Sequence, residues 1–193
     1  MPRLVDSAVR RAEIISAATE LIATGGPEAL SMRKIAERVG CTIGLLNYWF
    51  KSKNDLIEAV LDEASTAAVA RCAAVLAEPD ATLEKVVSEF LPLDSNRTSE
   101  LRVWLVFWAL SIAHPHLRKG YSKRVRDIRR QLSEEIDKRG LVEGDVTPVV
   151  DALMSALDGI AVNALADPSY WTRRRQRQTL RWLLERIVPQ AIV

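Results

Sequence analysis

Hydrophobic positions recur with the spacing of α-helices along almost the whole chain, and no segment alternates as a β-strand would. Glycine and proline are few, at 8 each, and many of them fall between the periodic segments, where helices are expected to end. The pattern predicts an all-α fold of about nine helices. The expected helices are Ser7–Thr24, Met32–Val39, Thr42–Trp49, Lys53–Ala77, Ala81–Leu91, Glu100–Ala113, Leu117–Gly140, Val146–Ala166 and Thr172–Val188.

Two short helical patterns, separated by Gly40, lie between Met32 and Lys53. Helices joined this tightly must cross at a steep angle, so the second one projects a face that fits the major groove of DNA. Aromatic and aliphatic residues here could instead serve only as core, and we adopt that interpretation for Leu46 and Phe50. The candidate DNA-binding residues are Ser31, Arg33, Thr42, Ile43, Gly44, Asn47, Tyr48, Trp49 and Lys53.

The boundary between two domains is expected at the start of the fourth helix. Residues 1–52 are predicted to form a three-helix helix-turn-helix domain, and residues 53–193 a helical bundle. A continuous helix opening at Lys53 would join them more stiffly than a Gly/Ser linker could.

Composition narrows the class of protein. The net charge is only +2, so a nucleic-acid site must be a local patch. Two cysteines, Cys41 and Cys72, do not make a disulfide scaffold, which favours a reducing compartment. Met1–Arg11 lacks the apolar stretch of a signal peptide, and the longest apolar run, Val103–Ala113, is too short to span a bilayer. We therefore expect a cytoplasmic protein that makes no membrane contact.

The sequence offers little support for catalysis. It contains no recognisable nucleophile–base pair and no glycine-rich phosphate loop. His114 and His116 lie two residues apart at a helix end without further ligands in suitable spacing. We expect no enzymatic activity, no metal and no cofactor; a helical small-molecule carrier or enzyme without DNA binding is the alternative hypothesis.

The helix-turn-helix segment resembles the DNA-binding signature of the tetracycline-repressor (TetR) family. The resemblance rests on Gly40–Phe50, Ser52, Lys53 and Leu56, and on the preceding Ala18, Leu21, Gly25, Gly26, Ile35 and Ala36. Asn47 stands where the family usually has Tyr, and Trp49 where it has His. The resemblance implies a homodimer with an N-terminal DNA-reading domain and a C-terminal bundle that binds a small-molecule effector and dimerises.

A narrower resemblance, to choline-responsive (BetI-like) repressors of glycine-betaine synthesis, rests on Met1–Leu4, Val103–Ala109 and Asp158-Gly159. Those proteins usually carry Trp-Leu-Arg shortly after the Asp-Gly pair. This chain has Ile160–Asn163 there, so the identity of the effector stays open.

Aromatic residues and one carboxylate in the bundle are candidates for binding the effector. Aromatic faces beside a carboxylate attract cations such as amines, and Asp158 stands in an otherwise apolar helix. The alternative is that the aromatic residues are core and that Asp158 caps a neighbour or pairs with an arginine. The candidate ligand-binding residues are Trp104, Phe107, Trp108, Tyr121 and Asp158.

The last two helices of each subunit are expected to pair into a four-helix dimer interface. The candidate residues are Val149, Leu153, Leu157, Ala161, Leu180, Leu184 and Ile187. We interpret the arginines of 173–181 as a solvated face or as charges at the dimer rim. Together these expectations describe a ligand-responsive transcriptional regulator, most simply a repressor, that binds a palindromic operator as a dimer.

Overall fold

The computed structural model describes residues 4–188, with the side chains of residues 8–26 and 28–188. Within this range the chain forms nine helices and no strand. They are α1 (Leu4–Ala29), α2 (Met32–Val39), α3 (Ile43–Trp49), α4 (Lys53–Leu76), α5 (Leu83–Ser88), α6 (Ser95–Ala113), α7 (Pro115–Lys138), α8 (Thr147–Ala166) and α9 (Arg173–Ile187). The predicted all-α fold is confirmed.

Local capping explains the helix boundaries around the turn. The Ser31 hydroxyl accepts a hydrogen bond from the backbone N–H of Lys34 at 3.1 Å and caps α2. Gly40 ends that helix with φ 66° and ψ 40°, a left-handed conformation that favours glycine. The Thr42 hydroxyl then accepts from the N–H of Leu45 at 3.1 Å and starts α3.

The beginning of α6 differs from the prediction. The polar stretch before Glu100 was expected to be a loop, but the helix begins five residues earlier, at Ser95. Asp94 is the reason: its Oδ1 accepts from the backbone N–H of Arg97 at 2.9 Å, and its Oδ2 pairs with the guanidinium of that residue at 2.7 Å. A carboxylate cap thus extends the helix into a segment without hydrophobic periodicity.

Helix α6 is buried on one face only. Its buried face consists of Val103, Phe107 and Ser111. On the opposite face Trp108 is 44% exposed and Ile112 is 65% exposed. The apolar run of this helix therefore reaches the surface of the subunit.

Contacts along the chain divide the molecule into two units. The first comprises the chain up to Thr66 together with Arg102–Gly120, and so differs from the predicted 1–52 domain. In it α1 packs against α2, and α2 packs against α3. The Arg102 guanidinium donates to the carbonyl of Ala23 at 2.8 Å, which ties α6 to α1. Its core residues include Ile14, Ala18, Ile22, Leu30, Ile35, Leu46, Phe50, Leu56 and Val60.

The second unit comprises Ala67–Leu101 and the chain from Tyr121 onward, and α9 packs in it against both α5 and α8. Its core residues include Leu83, Val87, Leu91, Leu132, Ile136, Val150, Leu153, Leu157, Ile160, Leu180 and Leu184. Within the described range α8 alone is long and apolar enough to cross a membrane, with a mean hydropathy of 1.5. Its apolar composition is accounted for by this core, to which one face of the helix contributes.

Candidate nucleic-acid interface and effector residues

Helix α3 separates its side chains into a buried and an exposed set. Leu46 and Phe50 are 0% and 2% exposed, so they serve as core, as the sequence indicated. On the opposite side Tyr48 is 69% exposed and Ile43 is 47% exposed. Thr42, Gly44 and Asn47 are exposed as well. These seven turn and helix residues are thus divided in the way that a helix reading a DNA groove requires.

Tyr48 and Trp49 form an edge-on aromatic pair at the end of α3, with ring centroids 5.1 Å apart. Trp49 is half-buried, and its indole Nε1 is buried without a hydrogen-bond partner in the part of the chain described. Trp49 therefore supports Tyr48 from below, and Tyr48 has the more exposed ring of the two.

Gly44 leaves the middle of this face without a side chain. A Cβ added there would meet only the Thr42 hydroxyl, at 3.8 Å, which is an ordinary contact. The absence of a side chain lets another backbone approach the helix closely.

Cationic side chains flank the exposed face. Arg33 and Lys53 are both exposed. Nε of Arg33 donates to Glu37 at 2.9 Å, one turn along α2, so its charge is shared with a carboxylate. Sequence reasoning left out two neighbours: Leu45, which is 42% exposed, and the exposed Lys51. Residue type alone could not indicate that a leucine of this helix faces solvent.

The candidate effector residues fall in different units. Trp104, Phe107 and Trp108 lie on the part of α6 that belongs to the first unit, whereas Tyr121 and Asp158 belong to the second. Phe107 is 1% exposed, so it acts as core. Trp104 is half-buried and Trp108 is exposed.

Within the second unit the charge of Asp158 acts on Tyr121. Burial of the phenol and the nearby Asp158 carboxylate raise the pKa of Tyr121 to about 12, against the opposing charge of Arg129. Tyr121 therefore remains a neutral hydroxyl over the physiological range. Loss of hydration raises the pKa of Asp158 above its ordinary value, and Arg129 partly offsets this effect.

Arg129 is the residue that sequence reasoning missed here. Its Nε lies 2.9 Å from Oδ1 of Asp151, and its charge also acts on Asp158. A pattern along one helix does not show which residues of the next helix Arg129 meets. A cation approaching Asp158 would have to compete with this guanidinium.

The predicted dimer residues lie in the core of their own subunit instead. Five of them are at most 5% exposed, and Val149 and Ile187 are half-buried against the same cluster. The buried five are Leu153, Leu157, Ala161, Leu180 and Leu184. A helical stripe of apolar residues marks a buried face, but it cannot tell a subunit core from a partner's surface.

The exposed faces of these two helices have a different composition. On α8 the exposed residues are Thr147, Pro148, Asp151, Ala152, Ser155, Asp158, Gly159, Asn163 and Ala166. A Cβ built at Gly159 would meet nothing within 4 Å. On α9 the Trp182 side chain is 53% exposed.

Catalytic or metal-binding groups are not assembled among the described residues. Burial, together with the charge of Glu89, raises the pKa of the Cys72 thiol to about 11, so it is protonated and unreactive at neutral pH. The rings of His114 and His116 lie 5.7 Å apart, and no group of three potential metal ligands forms in the described range.

A short exposed helix held behind a glycine turn, in a chain otherwise built of helices, is the arrangement of a helix-turn-helix regulator. Residues 14–60 match the family model for bacterial regulatory proteins of the tetR family, and residues 79–189 match that of the BetI-type transcriptional repressor C-terminal domain. The chain belongs to the TetR family of transcriptional regulators and carries a BetI-type C-terminal domain. Both predicted resemblances are confirmed.

Known transcriptional regulators of similar sequence or structure support this assignment. The HTH-type transcriptional regulator BetI of Burkholderia mallei is 27% identical over 164 residues, which cover 83% of this chain and 84% of that protein. A transcriptional regulator from Rhodococcus sp. has a TM-score of 0.84 at 25% identity, covering 95% of this chain and 98% of the other. A regulator from Saccharomonospora viridis in complex with choline has a TM-score of 0.83 at 25% identity, covering 93% and 97%.

Family membership settles the general activity. The chain is a DNA-binding transcriptional regulator of the repressor type, with a ligand-binding C-terminal domain. The family consists of regulators rather than enzymes.

Proposed function

We propose that this protein is a homodimeric repressor that binds a palindromic operator and is released from it by a small molecule. The observation that carries the proposal is the exposed side of α3, the helix that follows the Gly40 turn, on which Tyr48 is 69% exposed. Two such helices, one from each subunit, would enter successive major grooves roughly 34 Å apart.

The exposed side chains suit distinct contacts with DNA. Asn47 has the amide that pairs with adenine, and Tyr48 can reach a base edge or a phosphate. Arg33 and Lys53 flank the helix and would contact the phosphate backbone, which fixes the register of the complex without reading sequence. The effect of Arg33 would be reduced by its ion pair with Glu37.

We place the dimer interface on the exposed sides of α8 and α9. Ala152, Ser155 and Gly159 give α8 a surface of small side chains, so a partner helix could approach closely. Trp182 on α9 supplies a large apolar side chain beside it. Val149 and Ile187 would contribute only from the edge, since both pack on the subunit core.

A cationic amine is the effector that the second unit supports. A carboxylate with reduced hydration at Asp158 and the neutral phenol of Tyr121 could bind an ammonium group together. The Saccharomonospora viridis regulator was crystallised with choline, which has this chemistry. Trp104, Phe107 and Trp108 stay predictions as aromatic contacts, and the burial of Phe107 makes it the weakest of them.

Release would follow if the effector binds more tightly to the conformation that does not fit DNA than to the conformation that does. A difference of roughly 1–3 kcal/mol in the effector's binding free energy between the two conformations is enough for useful induction. We assign the transmission to α4, because it is unbroken from Lys53 to Leu76 and crosses the division between the units. Access to chromosomal DNA places the protein in the cytoplasm.

A gel-shift assay tests the proposal directly. Fragments that flank the gene for this chain are incubated with the full-length protein, with and without choline and other amines. We expect specific retention of one fragment and its loss on addition of an amine. Binding of an amine without retention of any fragment at low salt would favour the carrier hypothesis.

The dimer is tested by Gly159→Trp. The open space around Gly159 accommodates an indole within the subunit, so the variant should fold with an unchanged circular-dichroism spectrum. The new side chain would keep a partner helix away, and light scattering should give the mass of a monomer. Gln131→Trp introduces the same side chain at an exposed position of α7, outside α8 and α9, and serves as the control for oligomeric state. A Gly159→Trp protein that remains dimeric would place the interface elsewhere.

A further inference from the structure

Helix α9 carries a row of arginines beside a cleft in the second unit. The cleft has a volume of about 460 Å³ and lies next to α5, against which α9 packs. Its lining residues are Glu84, Arg173, Arg174, Arg177, Gln178 and Arg181. Four guanidinium groups thus share one cavity with a single carboxylate.

The positive charges of this cleft outnumber the negative charges among its lining residues. Glu84 accepts hydrogen bonds from Nε of Arg181 at 3.1 Å, and Nη2 of that arginine lies 3.0 Å from the same carboxylate. Arg173, Arg174 and Arg177 have no carboxylate in ion-pair distance among residues 8–188. Three positive charges are therefore uncompensated.

This arrangement is unfavourable for the helix itself. Arg173, Arg177 and Arg181 follow one another at intervals of four residues, where like charges repel. Arg173 and Arg174 also stand in the first turn of α9, which contains no acidic residue. The amino-terminal end of a helix carries a positive partial charge, so cations there cost stability. Such local conflict is typical of a binding site, where a ligand of opposite charge removes it.

Two arginines on the side of α9 opposite the cleft contact aromatic rings instead. The guanidinium of Arg175 lies 3.7 Å from the ring centroid of Tyr170, and that of Arg186 lies 3.7 Å from the centroid of Trp182. These two cations are covered by aromatic rings. The uncovered cations thus occur on the side of the helix that faces α5, away from the interface proposed with Trp182.

A second cleft adjoins the first and shares Glu84, Arg177 and Arg181 with it. Its volume is about 680 Å³, and its lining residues include the uncharged polar residues Thr82 and Ser88 and the acidic residues Glu78 and Glu89. The remaining cations there are already neutralised. Lys85 pairs with Asp80 at 2.5 Å and Glu78 at 3.3 Å, and Arg97 pairs with Glu89 at 2.8 Å and Asp94 at 2.7 Å.

We propose that the cleft between α5 and α9 binds a small, multiply charged oxyanion, a phosphate ester or a polycarboxylate. Arg173, Arg174 and Arg177 hold the anionic group, since guanidinium forks match the oxygens of phosphate and carboxylate groups in pairs. The adjoining cleft, whose lysine and remaining arginine already pair with carboxylates, accommodates the remainder of the molecule. The size of the two cavities is that of sites for small metabolites. This site is separate from the amine site proposed at Asp158 and takes a ligand of the opposite charge.

Calorimetric titration of the full-length protein at low salt tests the proposal, with inorganic pyrophosphate and citrate as separate probes. We expect saturable binding of at least one of them. Arg173→Gln combined with Arg177→Gln should weaken it about tenfold or more, because hydrogen bonds to charged groups are lost. Arg126→Gln, which removes an exposed arginine of α7 in the same unit, is the control and should leave affinity unchanged.

Glu84→Gln should change the affinity for the ligand in the opposite direction. The substitution removes the carboxylate that binds Arg181, so a fourth guanidinium becomes available and affinity should rise. Tighter binding of pyrophosphate identifies the phosphate class, and tighter binding of citrate the carboxylate class. Absence of binding by the unaltered protein, an equal loss in Arg126→Gln, or unchanged affinity in the double variant would each overturn the proposal.

Discussion

Nδ2 of Asn54 lies 2.9 Å from Nε2 of His116, so the first turn of α4 is hydrogen-bonded to the first turn of α7 within one unit. An amide nitrogen donates, so Nε2 of His116 is the acceptor in this bond. Beside this bond lies a cavity of about 220 Å³, to which Ile57, Leu110 and Leu117 contribute apolar surface.

Asn54→Ala and His116→Ala should each destabilise the protein slightly, and their effects should not add. The expected coupling in the free energy of unfolding is near the lower end of roughly 0.5–1.5 kcal/mol, because both residues are exposed. A double-mutant cycle by urea denaturation measures it. His114→Ala in place of His116→Ala is the matched control and should be additive with Asn54→Ala; coupling of the same size there would contradict the assignment.

Tyr48→Ala should weaken operator binding while leaving the fold intact. Loss of one base-edge or phosphate contact costs about 1–3 kcal/mol, which is roughly 5- to 150-fold in Kd. The free energy of unfolding should change by less than about 0.5 kcal/mol, because Tyr48 is 69% exposed. Fluorescence anisotropy with a labelled operator gives the affinity. Tyr48→Phe separates the ring from the hydroxyl, and unchanged affinity in Tyr48→Ala would remove the residue from the interface.

The two glycines of the turn should respond oppositely to alanine. Gly40→Ala places a side chain at φ 66° and should cost about 1–2 kcal/mol of stability. Gly44→Ala introduces a Cβ with only an ordinary contact to Thr42, so stability should be unchanged or slightly raised. Operator affinity should nevertheless fall in Gly44→Ala, since the new methyl group occupies the exposed face. Thermal unfolding and anisotropy together distinguish the two effects.

Binding of an amine should lose its pH dependence in Asp158→Asn. Reduced hydration raises the pKa of Asp158, so the carboxylate takes up its proton at a higher pH than an ordinary aspartate. Affinity for a cation should therefore decline as the pH falls through this raised pKa. Because the pKa of Asp158 is higher in the folded protein than in the unfolded chain, its ionisation lowers the free energy of unfolding, so Asp158→Asn should not lower the melting temperature at pH 7. Titration with choline between pH 4 and pH 8 checks both points; a pH profile identical in the variant would exclude Asp158.

Much of the fold could be predicted because its determinants are local. Ser31, Gly40 and Thr42 each act on backbone within three or four residues, so their types and spacing were enough to place the turn. Asp94 is a case in which the local sequence did not predict the start of a helix. It caps α6 as Ser31 caps α2, yet no hydrophobic period followed it closely enough to indicate a helix.

The functional surfaces were less predictable, because exposure depends on packing between distant segments. Leu45 and Leu46 are neighbours of the same type, but one is 42% exposed and the other is 0% exposed. Leu153 and Leu180 have the pattern of an interface and belong to the core of their own subunit. The pairing of Arg181 with Glu84 joins residues 97 positions apart, which periodicity along one helix cannot indicate.

In the proposed mechanism helix α4 acts as a rigid lever, and its length sets how far one end moves when the helix rotates. Its 24 residues make it about 36 Å long. Pivoted at one end, such a lever swings its other end by about 3 Å for every 5° of rotation. A displacement of that size at Lys53 would spoil the fit of two DNA half-sites whose spacing is fixed by the double helix. In the proposed mechanism, an effector that rotates this helix by only a few degrees would therefore be enough to weaken operator binding.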